Sequence, residues 1–294
     1  MKRRLRDALA RRTMFLLSAV PGALVALIFL GLAGKSRAVL ALNSFAGVLF
    51  GTTWQPLRGS FGLFPFLAGT LWVTLAAMVL AVPVSLLTAV YLSEYASPKV
   101  RGVARPVIDL LAGIPSVVFG VWGTLMIVPF VRAVASFFGA TSSGYSVLAG
   151  AIVLAIMVFP TIIHVALEVF ASVPQSLRDA SLALGATKWE TTRHVVLRKG
   201  LGGINAAVVL GLSRAFGETM AVLMVVGNVA RIPRSLFDSA YPLPALIANN
   251  YGEMMSIPLY DSALMLAALV LLAVVFVFNI GARLVLVRAE RKAE

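Results

Sequence analysis

Six apolar runs, each of roughly the 20 residues that a helix needs to cross a bilayer core, constrain this chain more than any other feature. They lie near 14–34, 66–91, 110–131, 146–170, 201–226 and 262–282. A helix packed on a soluble core would show a polar face at helical spacing, and these runs do not. Within a bilayer only helices and closed barrels satisfy their own backbone groups, and runs of this length fit helices. Composition agrees. Of 294 residues, 60% are hydrophobic and 13% charged, with a mean hydropathy of +0.95, outside ordinary soluble usage. The expected fold is all-α, a polytopic membrane helix bundle of about six transmembrane helices. The apolar stretch 38–50 is too short to span; it is expected along the interface or against the bundle.

The net charge of +13 could suggest nucleic acid, but its distribution points to topology. With the N-terminus inside, Lys and Arg number 6 in 1–13, 3 in 92–109, 5 in 171–200 and 4 in 283–294. The intervening segments 35–65, 132–145 and 227–261 hold 3, 1 and 2. A bias of 18 to 6 places both termini in the cytoplasm by the positive-inside rule. Nucleic acid is therefore not an expected partner; membrane lipid is. The absence of cysteine excludes disulfides and thiolate metal sites. The start Met1-Lys2-Arg3-Arg4 imitates a secretory signal, yet its apolar run is too long and no small-x-small site precedes Lys35 and Arg37. An uncleaved first span is expected.

One membrane domain, 14–287, is expected between a cytoplasmic N-terminal segment 1–13 and a C-terminal tail 288–294. Prolines at Pro21, Pro83, Pro115, Pro129 and Pro160 interrupt the spans; neighbouring groups in a bundle can satisfy the carbonyls they free. The longest polar segment is the loop 171–200. Ser172 with Gln175, and Thr187 with Glu190, fit capping boxes; Pro174 suits a first helical turn and Gly185 a stop. Leu177, Leu182, Leu184 and Trp189 would then be apolar side chains on a segment facing water. Such a hairpin can enter a groove on a partner or rest on lipid headgroups.

In the fifth run Arg214 and Glu218 stand four residues apart, on one face of a continuous helix, where each can neutralise the other. A lone charge at mid-bilayer costs on the order of 2.5–3.5 kcal/mol on the lenient insertion scale. Ala207 and Gly211 precede them on that face, allowing close helix contact or open volume; Thr219 and Asn228 add polar groups nearby. A buried ion pair that fixes packing is one reading. The other is an anion route, because a guanidinium fork matches an oxyanion.

Two sets of residues carry a family resemblance. Asp179-Ala180-Ser181 followed by Gly185-Ala186 resembles the EAA loop of ABC importer permeases, with Asp179 in place of Glu and Arg198 in place of the proline of the Ile-x-Leu-Pro ending. Ser213-Arg214-Ala215-Phe216-Gly217-Glu218-Thr219-Met220-Ala221-Val222, ending in Gly227-Asn228, is similar to the fifth span of PstC-type permease subunits of phosphate ABC transporters. Thr53-Trp54-Gln55-Pro56, Phe61-Gly62, Gly69-Thr70-Leu71 and Leu111-Ala112-Gly113-Ile114-Pro115-Ser116 extend the likeness from about 50 to 230 at matching order. The resemblance implies a type I ABC importer permease architecture. It implies import of inorganic phosphate through a bacterial inner membrane, with Arg214, Glu218, Thr219 and Asn228 along the substrate pathway. Asp179, Ala180, Gly185 and Ala186 would belong to a helix coupled to an ATPase. The implied partners are a homologous PstA-like permease, two ATP-binding subunits and an extracytoplasmic phosphate-binding protein. This chain would bind no cofactor, ATP being used by the partner.

Other chemistry has little support. Gly34-Lys35-Ser36 echoes a phosphate-binding loop, but Phe29 stands where the leading glycine is required. His164 and Glu168 share a face and read as an interfacial polar pair, since His194 is the one other histidine. No catalytic or metal site is expected, and the chain is not read as an enzyme. Two rival functions stay open: a permease for another oxyanion such as molybdate or sulfate, and a self-sufficient secondary transporter or channel.

Overall fold

A computed structural model of the chain describes residues 2–254, 257 and 259–291, with side chains described for those between 10 and 284. Among the described residues, six helices are long and apolar enough to cross a membrane: Ala10–Lys35, Phe64–Tyr95, Ser116–Phe137, Val147–Ser172, Lys188–Gly217 and Tyr260–Leu284. The first part of the chain forms α1 (Lys2–Lys35), the short α2 (Arg37–Leu42) and α3 (Phe45–Phe50), and the hairpin β1 (Trp54–Gln55) and β2 (Ser60–Phe61). Then come α4 (Phe64–Val90), α5 (Pro98–Gly113), α6 (Ser116–Trp122), α7 (Val128–Phe137) and α8 (Val147–Ser172). The loop carries α9 (Gln175–Ala183) and α10 (Lys188–Thr191), and the chain closes with α11 (Leu197–Gly217), α12 (Met220–Val225), α13 (Leu243–Asn250) and α14 (Tyr260–Arg291). Widened π-helical turns at Tyr91–Tyr95, Gly123–Ile127 and Thr192–Val196 extend α4, join α6 to α7 and join α10 to α11.

Boundaries depart from expectation for identifiable reasons. The third span begins at Ser116 rather than at 110, because Pro115 disfavours helical backbone at Ile114, which is extended (φ −68°, ψ 128°). Residues 98–113 thus form a separate helix. The fifth span stops at Gly217, short of the expected 226. Of the expected tail 288–294, the helix α14 continues to Arg291, and 292–294 lie outside the described residues. Pro21, Pro83 and Pro160 sit within helices, Pro115 caps α6 and Pro129 lies in the first turn of α7.

The centre of the bundle is α4 against α8, running in the same direction, with α11 returning beside them. Val73, Ala77 and Ala81 face Ala151, Ala155 and Val158, with Ala207 and Ala215 closing the cluster. In lipid, apolar burial itself does not favour helix over acyl chain, so association rests on close packing, which small residues permit. Gly211 shows the tightness: a Cβ there would stand 2.7 Å from Ile162 Cγ1 of α8. The face of Ala207 and Gly211 is therefore a helix contact, not open volume.

A second cluster fixes one end of the bundle. Trp54 packs edge-on against Phe66, Phe61 and Tyr260, at centroid distances of 5.0, 5.7 and 5.8 Å. Segment 38–50 joins this cluster through the buried Val39 and Val48, and Val39 N–H donates to Ser262 Oγ at 3.0 Å. Of the two expected settings, it packs against the bundle. At the opposite end, Ala89, Leu92, Phe170, Val173 and Val196 gather the C-terminal ends of α4 and α8 beneath the 171–200 loop.

Candidate functional site

Helix α11 ends where the charged pair was expected to lie on one continuous face. Gly217 closes the helix, Glu218 is extended (φ −71°, ψ 125°), and Thr219 (φ −116°, ψ −61°) leads into α12. The expected Arg214–Glu218 ion pair does not form. The carboxylate turns to α12 instead, where Oε1 accepts from the N–H groups of Thr219 (3.2 Å) and Ala221 (3.4 Å). Two backbone amides at a helix start hold a carboxylate by the logic of an N-cap, which removes it from its neighbour. Thr219 Oγ1 donates to Gly217 O at 3.2 Å across the break.

Arg214 is exposed, and its Nη1 donates to Thr161 Oγ1 of α8 at 2.8 Å. Among the described residues it has no ion pair. Its charge is thus met by a hydroxyl, which orients the guanidinium without neutralising it. The Ser213 hydroxyl, next to it, lies within hydrogen-bond reach of Asn279 Oδ1 of α14 and of Val209 O, one proton serving either acceptor, at the last turn of α11.

Asn228 lies beyond the far end of α12 from Glu218. It adopts φ 52°, a region Asn tolerates, and its Nδ2 donates to Leu223 O at 2.8 Å. Its Oδ1 is buried without a protein partner among the described residues. Arg214, Glu218 and Thr219 therefore flank the break, and Asn228 lies past the other end of the six-residue α12.

Below, the loop forms the expected helical hairpin. Gly185 (φ 87°) stops α9 in the left-handed region, and Ala186 N–H returns to Ser181 O at 3.2 Å. The Thr187–Glu190 capping box is present. The one at Ser172 is not: Pro174 is the N-cap of α9, and Ser172 Oγ donates to Val169 O within the last turn of α8. Asp179 Oδ1 accepts from Gln175 Nε2 at 2.9 Å. Ala180 and Asp179 are exposed, as are Leu177, Leu182, Trp189 and above all Leu184, which is 90% exposed.

Other polar pairings escaped the sequence reading. His164 pairs with Asp109 of α5 at 3.0 Å rather than with Glu168. Arg178 of α9 pairs with Glu94 of the Tyr91–Tyr95 turn at 2.9 Å. Thr161, the partner of Arg214, had no signal in sequence, since a threonine in a span reads as a small interface residue. Among the described residues no cluster of His, Cys, Asp and Glu could hold a metal ion.

Residues 81–291 match the family described as binding-protein-dependent transport system inner membrane component. A Bacillus subtilis protein named "Probable ABC transporter permease protein YqgH" is 39% identical over 85% of this chain and 81% of its own length. The phosphate transport system permease protein PstC of Xylella fastidiosa is 37% identical over 99% of this chain and 94% of its own. Among solved structures, a bacterial ABC transporter involved in alginate import superposes with a TM-score of 0.63 at 16% identity, over 97% of this chain and 99% of that one. The last similarity concerns fold alone and bears out the expected importer-permease architecture.

Proposed function

This chain belongs to the family of binding-protein-dependent transport system inner membrane components, and from that premise we propose that it is the permease subunit through which an ABC importer moves inorganic phosphate across the bacterial inner membrane. It is a multi-pass membrane protein and not itself a catalytic enzyme. The name of the 37% identical Xylella relative supports phosphate as the cargo. One observation within the chain carries the reading furthest: Arg214, on an apolar span, keeps a guanidinium that is exposed, oriented by Thr161 and, among the described residues, unpaired with a carboxylate.

Such a group offers an oxyanion transient charge compensation and a forked set of donors. Glu218 and Thr219 follow it in the break at Gly217–Thr219, and the carboxylate there accepts from backbone amides, which supports a free guanidinium on the route. Phosphate would pass between this chain and a homologous PstA-like permease, delivered by an extracytoplasmic binding protein. Two ATP-binding subunits would drive the switch through the 171–200 loop, around Asp179, Ala180, Gly185 and Ala186. This chain needs no cofactor of its own, because no side chain performs covalent chemistry. Both termini face the cytoplasm.

The test is Arg214→Gln in the reconstituted complex. Phosphate uptake should be lost while assembly and membrane insertion stay intact. Normal uptake by a well-expressed variant would remove Arg214 from the route, and competition by phosphate but not sulfate or molybdate would fix the cargo.

A further inference from the structure

The exposed face of the 171–200 hairpin describes how a partner could hold the loop. It leaves open how movement of the loop reaches the spans. Beside the apolar packing of Val173 and Val196 on the span ends, a part-buried ion pair bridges the two. Arg178, in the middle of the otherwise exposed α9, is 12% exposed, and Glu94 of the π-helical turn that ends the second span is 10% exposed.

The contact is a fork. Arg178 Nε donates to Glu94 Oε2 at 3.3 Å and Nη2 to Glu94 Oε1 at 2.9 Å. The same guanidinium donates through Nη2 to Phe170 O at 2.7 Å and through Nη1 to Val173 O. One side chain thus grips the end of α4 by its carboxylate and the end of α8 by its carbonyls. The Glu94 turn is itself held: Ser93 Oγ donates to Glu94 Oε1 at 2.9 Å, and Arg101 of α5 donates to the carbonyls of Leu92 and Ser93 at 2.9 and 2.8 Å. A polar cavity of about 550 Å³ opens beside the pair, lined by Gln175 and Lys188 among others, so the contact sits at the edge of an open space.

Stability is a poor explanation for this arrangement. Desolvating two charges roughly cancels their attraction, and buried pairs can often be replaced by apolar residues without loss. What a bidentate pair adds is direction, since a planar fork fixes distance and angle where a point charge does not. We propose that Glu94 and Arg178 are positioning residues that transmit displacement of α9 to α4 and α8, the two helices at the centre of the bundle. This rests on the loop's role as the ATPase-coupling element and names the joint through which that role is exerted.

The experiment uses the full complex in proteoliposomes, with ATP hydrolysis and inorganic phosphate uptake measured together. Arg178→Lys keeps the charge but loses the fork; Glu94→Gln keeps an acceptor but loses the charge. Both should hydrolyse ATP while uptake per ATP falls by roughly 5- to 150-fold, the span of typical coupling free energies. Because either variant leaves one part-buried polar group without its full partner, the double variant Glu94→Leu with Arg178→Leu is included. It should assemble and still be uncoupled. A wild-type uptake-per-ATP ratio in the double variant, or in both single variants, overturns the proposal. A parallel Leu184→Cys cross-link to the ATPase subunit separates the two ideas. Absence of the cross-link removes the docking reading and the joint with it; a formed cross-link with an unchanged ratio removes the joint alone.

Discussion

At Arg214 and Glu218 the spacing in sequence and the pairing in space part company. Four residues on a helix put two charges on one face, but Gly217 ends the helix between them and α12 captures the carboxylate. The consequence is testable. If Glu218 neutralised Arg214, removing it would strand a charge and cripple the route. As a cap, Glu218→Ala should cost about 1 kcal/mol, the usual loss of an N-cap, seen as a lower melting temperature of the purified complex. Glu218→Gln should retain more phosphate uptake than Arg214→Gln, and an equally deep defect in both would show that they act as a pair. Which residues bear charge inside a span was legible from composition alone. The break was not, because a glycine in an apolar run also serves close packing, as Gly211 does. Asn228 is polar and near in sequence, but its backbone at φ 52° and its bond to Leu223 O are features of the fold that sequence spacing does not show.

Among the elements, the loop 171–200 was the most readable from local chemistry and the spans the least readable at their ends. Thr187 and Glu190 need only each other and the backbone to make a capping box, so their pattern survives in the fold. Ser172 had a competitor in the carbonyl of Val169 one turn back, and a hydroxyl inside a helix takes that acceptor. The start of the third span moved because one proline outweighs several apolar residues in deciding where a helix can begin. The stop at Gly185 depends on backbone conformation alone, since a Cβ there would meet no neighbour. Gly185→Val should therefore cost about 1–2 kcal/mol from the left-handed backbone and turn Leu184 away from its place, raising ATP hydrolysed per phosphate imported. Tight coupling in an assembled Gly185→Val complex would remove the loop from the transmission path. At Gly211 the constraint is space, with Ile162 Cγ1 2.7 Å from an added Cβ. Gly211→Leu should overpack α11 against α8 by about 1–3 kcal/mol, lowering the melting temperature of the complex.

For the molecule as a whole, the arrangement of parallel α4 and α8 with α11 returning fixes which loops share a side, though not which side that is. The hairpin 54–61 and the 171–200 loop lie at opposite ends of the bundle, one joined to the Trp54 cluster and the other to the Phe170 cluster. Charge predicts the direction: by sequence, 18 basic residues belong to the segments expected on the side of 171–200 and 6 to those expected on the other. Lys and Arg near short loops hold their segment in the cytoplasm because translocating them is costly. The chain has no cysteine, so single cysteines can be placed against a silent background. Leu57, 87% exposed beside the hairpin, and Leu184, 90% exposed on the loop, are the two natural probes. In intact spheroplasts a membrane-impermeant maleimide should label Leu57→Cys and leave Leu184→Cys untouched until the membrane is opened. The reverse pattern would invert the bundle and place the hairpin, not the loop, on the ATP-bearing side. Both the coupling role of 171–200 and the Glu94–Arg178 joint would then lack a partner to act on them.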